Sequence, residues 1–269
     1  MKKKSQTFLN SNFFTGDTKK NIENIKKKYL DNNRYHLIIR NFEKNKKKIN
    51  SKIIKLSKLM GKPLPQNKIG KKYVVIKPNV KLIEKKYKNK SIKLRYHQTN
   101  IGGAIHSDGP QLSEPPRYVI MGCIKQAKKG GSSIISSTKK IYEYLKKNNP
   151  KILNTLTKKF YFERRGFNFA NNNIFKKSIF ENKSNNFRFR YLREYIEAAY
   201  NLKKIKLNPN EIKALNYLDK LLSQKKFQDT YKLNEGDVII LNNNVLAHGR
   251  SGFKLNSGKQ RSLIRIWVK

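Results

Sequence analysis

The sequence predicts a mainly β, α+β protein whose core is a jelly roll (a double-stranded β-helix) with flanking helices. Three observations support this fold class. Short apolar runs rich in β-branched and aromatic residues recur along the chain, separated by turns that contain Gly and Pro. Helical patterns occur among them without the regular strand–helix alternation of a parallel sheet. No repeat or linker divides the 269 residues, so a single domain is predicted.

Within this domain, residues 1–50 are expected to form a helical N-terminal cap and residues 51–269 the jelly-roll core with helical insertions. The cap has modest helical patterning and a short predicted strand at residues 35–39. Apolar positions in residues 53–60 predict a helix that ends at Gly61. The next predicted strands are residues 73–76, 91–96, 117–125 and 132–137.

Helix signals are clearer in the second half of the chain. A short helix is predicted at residues 141–147. Asn208 is placed to cap a longer helix, because Pro209 suits the first helical position and Glu211 completes a capping-box pattern. Apolar residues then recur at helical spacing from 212 to 222. The remaining predicted strands are residues 238–241 and 261–268.

The last predicted strand carries two arginines on one face. Alternation places Arg261 and Arg265 on one side and Ile264, Ile266 and Val268 on the other. Two arginines on one side of an apolar strand are costly unless an anion meets them. A dicarboxylic co-substrate would do so through a bidentate pair. The alternative is an edge strand whose polar face lies in water.

Candidate metal ligands are few, because the chain has four His and one Cys. A single Cys excludes a disulfide framework and a cysteine-built zinc site. His106 and Asp108 are separated by one residue, so an extended backbone points both to one face. With His248 as the third candidate they would form a 2-His-1-carboxylate triad, which suits non-haem Fe(II). The alternative is a structural His beside a turn Asp.

Several motifs, taken together and in order, resemble the taurine dioxygenase/clavaminate synthase-like family of Fe(II)- and 2-oxoglutarate-dependent oxygenases. The resemblance covers roughly residues 55–269. It rests on the sequence GKPLPQ at 61–66, HSD at 106–108 followed by a Pro-Pro pair, GGSS at 130–133, and the closing segments 245–253 and 261–267. The joint occurrence of these motifs is specific, although no single one is.

The resemblance implies roles for six residues. The implied ligands of Fe(II) are His106, Asp108 and His248. Arg261 would bind the distal carboxylate of 2-oxoglutarate, and Ser133 would hydrogen-bond the same carboxylate, although the family often has Thr there. Arg265 matches a second family arginine and would contact the co-substrate or the substrate, or brace the site.

The resemblance also implies the reaction. With O2, such an enzyme converts 2-oxoglutarate to succinate and CO2 and hydroxylates an unactivated C–H bond. Asp108 favours hydroxylation, because halogenating members lack this carboxylate; desaturation and ring formation stay open. The expected substrate is a small polar metabolite, amino-acid-like or anionic.

Three further arginines have two interpretations each. Arg250 would brace the loop after the third ligand or meet an anionic substrate. Arg190 or Arg193 would meet a substrate carboxylate or form a surface ion pair with Glu194 or Glu197.

The formal net charge is +45, from 62 Lys and Arg against 17 Asp and Glu. Most of the excess is Lys spread along the chain, as an AT-rich coding sequence would produce, whereas a nucleic-acid binder concentrates basic residues in a patch. We therefore do not expect a nucleic-acid partner. Two alternatives remain: a basic nucleic-acid-binding protein without catalysis, and an oxygenase acting on a nucleic acid or protein side chain.

No apolar stretch approaches the roughly 20 residues that span a bilayer. The first residues make a poor secretory signal, because polar residues interrupt their apolar run. A cytoplasmic protein without a membrane partner is predicted. The oligomeric state is not predicted.

Overall fold

The structure is a computed structural model that describes residues 8–10, 18–32, 34–45, 47–67, 69–89, 98–103, 105–164, 173–183, 186–255 and 260–269. The strand predicted at residues 91–96 lies outside these residues. The strands are β1 (Phe8–Asn10), β2 (His36–Arg40), β3 (Pro63–Leu64), β4 (Tyr73–Ile76), β5 (Tyr118–Lys125), β6 (Ser133–Ser137), β7 (Lys159–Glu163), β8 (Ile174–Ser178), β9 (Phe180–Lys183), β10 (Asn186–Phe189), β11 (Gln228–Tyr231), β12 (Val238–Asn242), β13 (Leu246–Arg250) and β14 (Ser262–Val268).

Helices flank these strands, as predicted. They are α1 (Thr18–Ile25), α2 (Ile49–Met60), α3 (Val80–Lys88), α4 (Thr138–Asn148), α5 (Pro150–Thr157), α6 (Arg193–Leu202) and α7 (Pro209–Ser223). A π-helical turn, Lys26–Leu30, continues α1, and a short 3-10 turn, Lys225–Phe227, follows α7. The sequence predicted α2, α4 and α7, whereas it missed α3, α5 and α6.

Two sheets form the centre of the fold. The larger has the order β1-β2-β12-β5-β14-β3, with β4 also paired to β14, and the smaller has the order β11-β6-β13. Strands pair antiparallel in both sheets apart from β1 and β2, which are parallel. Because β2 lies within the first 50 residues, this segment supplies sheet as well as helix.

The two faces of β14 enter different apolar clusters. Leu263 and Trp267 pack into the cluster that also contains Ile135 and Leu246 of the smaller sheet. The alternate residues of β14 pack into the cluster beneath α2. The alternation predicted for this strand therefore occurs. The face of β14 that carries Leu263 and Trp267 is the one directed at the space between the two sheets.

Close packing explains the glycine that ends α2. Gly61 has φ of 152°, and a Cβ at this position would lie 2.3 Å from the carbonyl oxygen of Lys269. The amide of Lys269 in turn donates to the carbonyl of Lys62, at 3.0 Å. Only glycine allows the chain to leave α2 so close to the end of β14.

The predicted capping box of α7 is present. The side chain of Asn208 accepts a hydrogen bond from the Glu211 amide at 2.9 Å, and the Glu211 carboxylate accepts one from the Asn208 amide at 2.9 Å. Both bonds satisfy amides that the first helical turn leaves without a partner. The opposite face of α7 packs its leucines into the core.

Replacing Asn208 with Ala should therefore lower the free energy of unfolding by about 1 kcal/mol, because one amide of the first turn loses its acceptor. Urea unfolding followed by circular dichroism measures this change. Asn210→Ala is the matched control, since Asn210 is exposed in the same turn and makes neither capping bond. Equal losses in the two variants would contradict the capping role.

Candidate metal centre

A short backbone pairing brings two histidines together. The His106 amide donates to the His248 carbonyl at 3.0 Å, and the His248 amide donates to the His106 carbonyl at 2.7 Å. Paired residues of an antiparallel bridge direct their side chains to the same face. The two imidazole centroids are consequently 4.8 Å apart.

Asp108 completes the group. In the part of the chain that the structure describes, His106, Asp108 and His248 are the one set of three His, Cys, Asp or Glu residues whose ligand atoms converge, all within 4.8 Å. The Nε2 atom of His106 lies 3.8 Å from Oδ1 of Asp108, and that of His248 lies 3.6 Å from Oδ2. All three residues are buried.

The carboxylate of Asp108 fits a cation. Asp108 is 3% exposed, and its Oδ2 atom accepts no hydrogen bond within the described protein. A buried carboxylate oxygen without a donor is costly. A divalent cation between the three side chains would satisfy it. Two imidazoles and one carboxylate are also the ligands of a facial triad for non-haem Fe(II), so these residues suit that metal.

Arg265 supplies the positive charge beside this carboxylate. Its Nη1 atom donates to Oδ1 of Asp108 at 2.8 Å. Burial alone would raise the pKa of the Asp108 carboxyl, but the positive charge of Arg265 opposes burial and helps to hold that pKa below its usual range. Asp108 is therefore ionised, as a metal ligand must be.

The imidazole of His248 is neutral because it is buried. Burial lowers the pKa of His248 to about 3, and the opposing attraction of Asp108 does not offset it. Because a metal ligand needs the lone pair of a neutral imidazole, this environment favours ligation over protonation.

Gln66 holds Arg265 in place. The Gln66 Oε1 atom accepts from Nε of Arg265 at 2.9 Å, while its Nε2 atom donates to the Arg265 carbonyl at 2.8 Å and the Lys72 carbonyl at 3.2 Å. Gln66 lies in the GKPLPQ motif, but nothing in the sequence predicted this contact. The motif therefore acts on the site through Arg265.

One cavity joins five of the six predicted site residues. It lies between the two sheets and is lined by Ile76, His106, Met121, Ser133, His248, Gly249, Arg250, Arg261, Leu263 and Arg265. Asp108 lies against it through its contacts with both histidines and Arg265. The structure thus brings the whole predicted set together.

Arg261 is oriented within the cavity by two acceptors. Its Nε atom donates to Oε1 of Gln126 at 3.1 Å and to the carbonyl of Gly131 at 3.2 Å. Gly131 has φ of +74°, and a Cβ there would lie 2.9 Å from Cδ of Arg261. The Gly-Gly turn therefore makes room for this arginine.

Arg250 braces the cavity wall. Its Nη2 atom donates to the Thr99 carbonyl at 2.6 Å, and its guanidinium lies over the Phe253 ring, 4.8 Å from the centroid. The amide of Phe253 also donates to the Asn100 carbonyl at 3.0 Å. The chain after β13 is thereby tied to residues 98–100.

The two later arginines differ from each other. Arg190 is buried, and its guanidinium donates to the carbonyls of Pro110, Leu112 and Ser113. Arg190 is therefore not in the surface ion pair that was one interpretation from the sequence, and it instead holds the loop after the HSD motif. Arg193 forms the predicted ion pair with Glu197, at 2.6 Å.

Residues 33–267 match the model of the Taurine catabolism dioxygenase TauD, TfdA family. The match spans most of the chain, and the protein belongs to this family. The family predicted from the motifs is confirmed.

Two curated relatives are similar to part of the chain. The chain is 26% identical over 164 residues to gamma-butyrobetaine dioxygenase of Homo sapiens, covering 60% of this chain and 42% of that protein. It is 25% identical over 189 residues to FR-33289 synthase of Streptomyces rubellomurinus (strain ATCC 31215), covering 65% of this chain and 52% of that protein. The chain thus matches about half the length of these relatives.

Solved structures share the fold. An asparagine oxygenase in complex with Fe(II), 2S,3S-3-hydroxyasparagine and succinate superposes with a TM-score of 0.71 at 12% identity, over 93% of this chain and 78% of that one. The non-heme iron oxygenase OrfP in complex with Fe and alpha-ketoglutaric acid gives 0.66 at 13% identity, with the same coverage, 93% and 78%. The predicted jelly-roll core is confirmed. Among the described helices, none is long and apolar enough to cross a membrane.

Proposed function

We propose that this protein is an Fe(II)- and 2-oxoglutarate-dependent oxygenase that hydroxylates a small amino-acid-like or anionic molecule. The observation that carries the proposal is the convergence of His106, Asp108 and His248 at a cavity that Arg261 also lines. Membership of the TauD/TfdA family supports the same activity.

In this proposal His106, Asp108 and His248 would hold Fe(II). When bound with 2-oxoglutarate and O2, the metal supplies the oxidation of a substrate C–H bond, with release of succinate and CO2. Asp108 contributes the negative charge that a divalent cation requires, and Arg265 keeps it ionised and oriented. The neutral imidazole of His248 presents its lone pair, because burial opposes its protonation.

Arg261 would bind the far carboxylate of 2-oxoglutarate. A guanidinium binds a carboxylate through two parallel hydrogen bonds. The acceptors on Nε fix the plane of the Arg261 guanidinium, so the co-substrate would bind in one orientation. The Ser133 hydroxyl lines the same cavity and would donate to that carboxylate.

Apolar side chains complete the cavity wall. Ile76, Met121 and Leu263 come from β4, β5 and β14. These residues exclude water from one side of the cavity, and a dry site strengthens each charge–charge contact within it.

Charge supports the proposed substrate class. The cavity is lined by Arg250, Arg261 and Arg265, while Asp108 is the one carboxylate in contact with it among the described residues. A divalent cation and a dianionic co-substrate cancel each other, so positive charge is left in excess and favours an anionic group on the substrate. The similar oxygenase structures in complex with 3-hydroxyasparagine and with (3S)-hydroxy-L-Arg support an amino-acid-like molecule.

Adding Fe(II) and 2-oxoglutarate without oxygen should produce a visible metal-to-ligand charge-transfer band. His106→Ala and Asp108→Ala should abolish it, because each removes a ligand. Asp229→Asn is the control, since Asp229 is an exposed carboxylate on β11. A wild-type protein without the band, or triad variants that keep it, would show that the metal assignment is wrong.

Arg261→Ala should weaken 2-oxoglutarate binding about 10–100-fold, the cost of losing charged hydrogen bonds, while Fe(II) binding changes little. A titration with 2-oxoglutarate is followed by the charge-transfer band, and a titration with Fe(II) is followed by metal-dependent fluorescence quenching. The two titrations separate the two effects. Arg117→Ala is the control, since Arg117 is an exposed arginine paired with Asp31. Parallel losses of metal and co-substrate would contradict the role of Arg261.

Succinate release should depend on the primary substrate. A panel of free amino acids, betaines and small carboxylates, phosphonates and sulfonates should contain a compound that raises succinate formation and gains one oxygen atom by mass. Stimulation only by compounds that carry no carboxylate, phosphonate or sulfonate group would contradict the proposed substrate class.

A further inference from the structure

Asn243 lies in the turn between β12 and β13, and it is 1% exposed. Its Oδ1 atom accepts a hydrogen bond from the Asp108 amide at 2.8 Å. Its Nδ2 atom donates to the carbonyls of Asp108, at 2.9 Å, and Pro116, at 3.0 Å. One side-chain amide therefore serves both backbone polar groups of Asp108.

This contact links the two segments that carry the triad. Asn243 is near the start of β13, and the same strand carries His248. A shift of Asp108 relative to β13 would break both hydrogen bonds between the Asn243 side chain and the Asp108 backbone. The buried amide and carbonyl of Asp108 would then lack partners, which costs more than a typical hydrogen bond contributes. The hydrogen bonds from Asn243 therefore fix where the Asp108 backbone lies relative to His248.

The carboxylate of Asp108 is held separately, by Arg265 at Oδ1. With its backbone held by Asn243 and Oδ1 held by Arg265, the second oxygen, Oδ2, stays directed toward His248, 3.6 Å from its Nε2 atom. Metal sites tolerate only small errors in ligand position, and groups that orient a ligand contribute to metal affinity.

We propose that Asn243 is a positioning residue for the metal, acting through the backbone of Asp108. This inference rests on the proposed function, since it concerns the same triad. Its neighbours in the chain have different contacts. Asn242 donates to the carbonyl of Leu30 and to Asp31, and the side chain of Asn244 makes no hydrogen bond to residues 106–108 as the structure describes them.

The test uses Co(II), whose visible absorption reports binding and ligand geometry without turnover. Asn243→Ala and Asn243→Asp should each weaken Co(II) binding about 10–100-fold and alter the spectrum of the bound metal, as expected for loss of an orienting group. Asn243→Asp keeps the size and the acceptor but cannot donate to the two carbonyls. Asn244→Ala is the matched control and should bind Co(II) like the wild type.

Urea unfolding without metal separates positioning from a general structural role. A purely structural residue would lower stability and leave the affinity and spectrum of Co(II) unchanged in the folded variants; that result would overturn the inference. Failure of both Asn243 variants to fold would also overturn it, because the side chain would then be required for the whole fold. If the wild type binds no divalent metal, the proposed function itself fails, and the two failures are thereby distinguished.

Discussion

Burial of the Asp108 carboxylate is the constraint on which the rest of the site depends. A charge placed between two sheets is tolerated only where opposite charge and hydrogen bonds compensate its lost hydration. Arg265 supplies the charge, and Gln66 holds Arg265 by both its side chain and its carbonyl. Asn243 supplies the bonds to the backbone. Strand β14 and the β12–β13 turn therefore both contact Asp108, and the GKPLPQ motif supports it through Arg265.

The segment that carries Asp108 is also held by residues that follow β10. The Ser107 hydroxyl accepts from the Tyr191 amide at 2.9 Å, and the Ser107 amide donates to the Tyr191 carbonyl at 2.9 Å. The guanidinium of Arg190 then holds the loop that follows. The HSD motif therefore lies between β13 and the chain after β10, which explains how an irregular segment keeps a defined position inside the core.

The sequence was informative where the signal was local or chemically rare. The α7 cap depends on residues three apart, and the two faces of β14 follow from strand alternation. The candidate ligands were found because the chain has few His. Contacts with distant backbone groups left no such signal: Arg190 donates to carbonyls rather than to a carboxylate, and Gln66 meets Arg265 across most of the chain. Asn243 is the middle of three consecutive Asn, so only the fold distinguishes it from its neighbours.

The His106–His248 pairing has a thermodynamic consequence. The residues are far apart in sequence, so the unfolded chain must lose loop-closure entropy to bring them together. A cation held by the proposed triad would bind the native chain far better than the unfolded one, and its binding free energy would add to the stability of the fold by linkage. The ion would act as a removable cross-link between the HSD segment and the smaller sheet, coupling the lifetime of the folded chain to the metal supply.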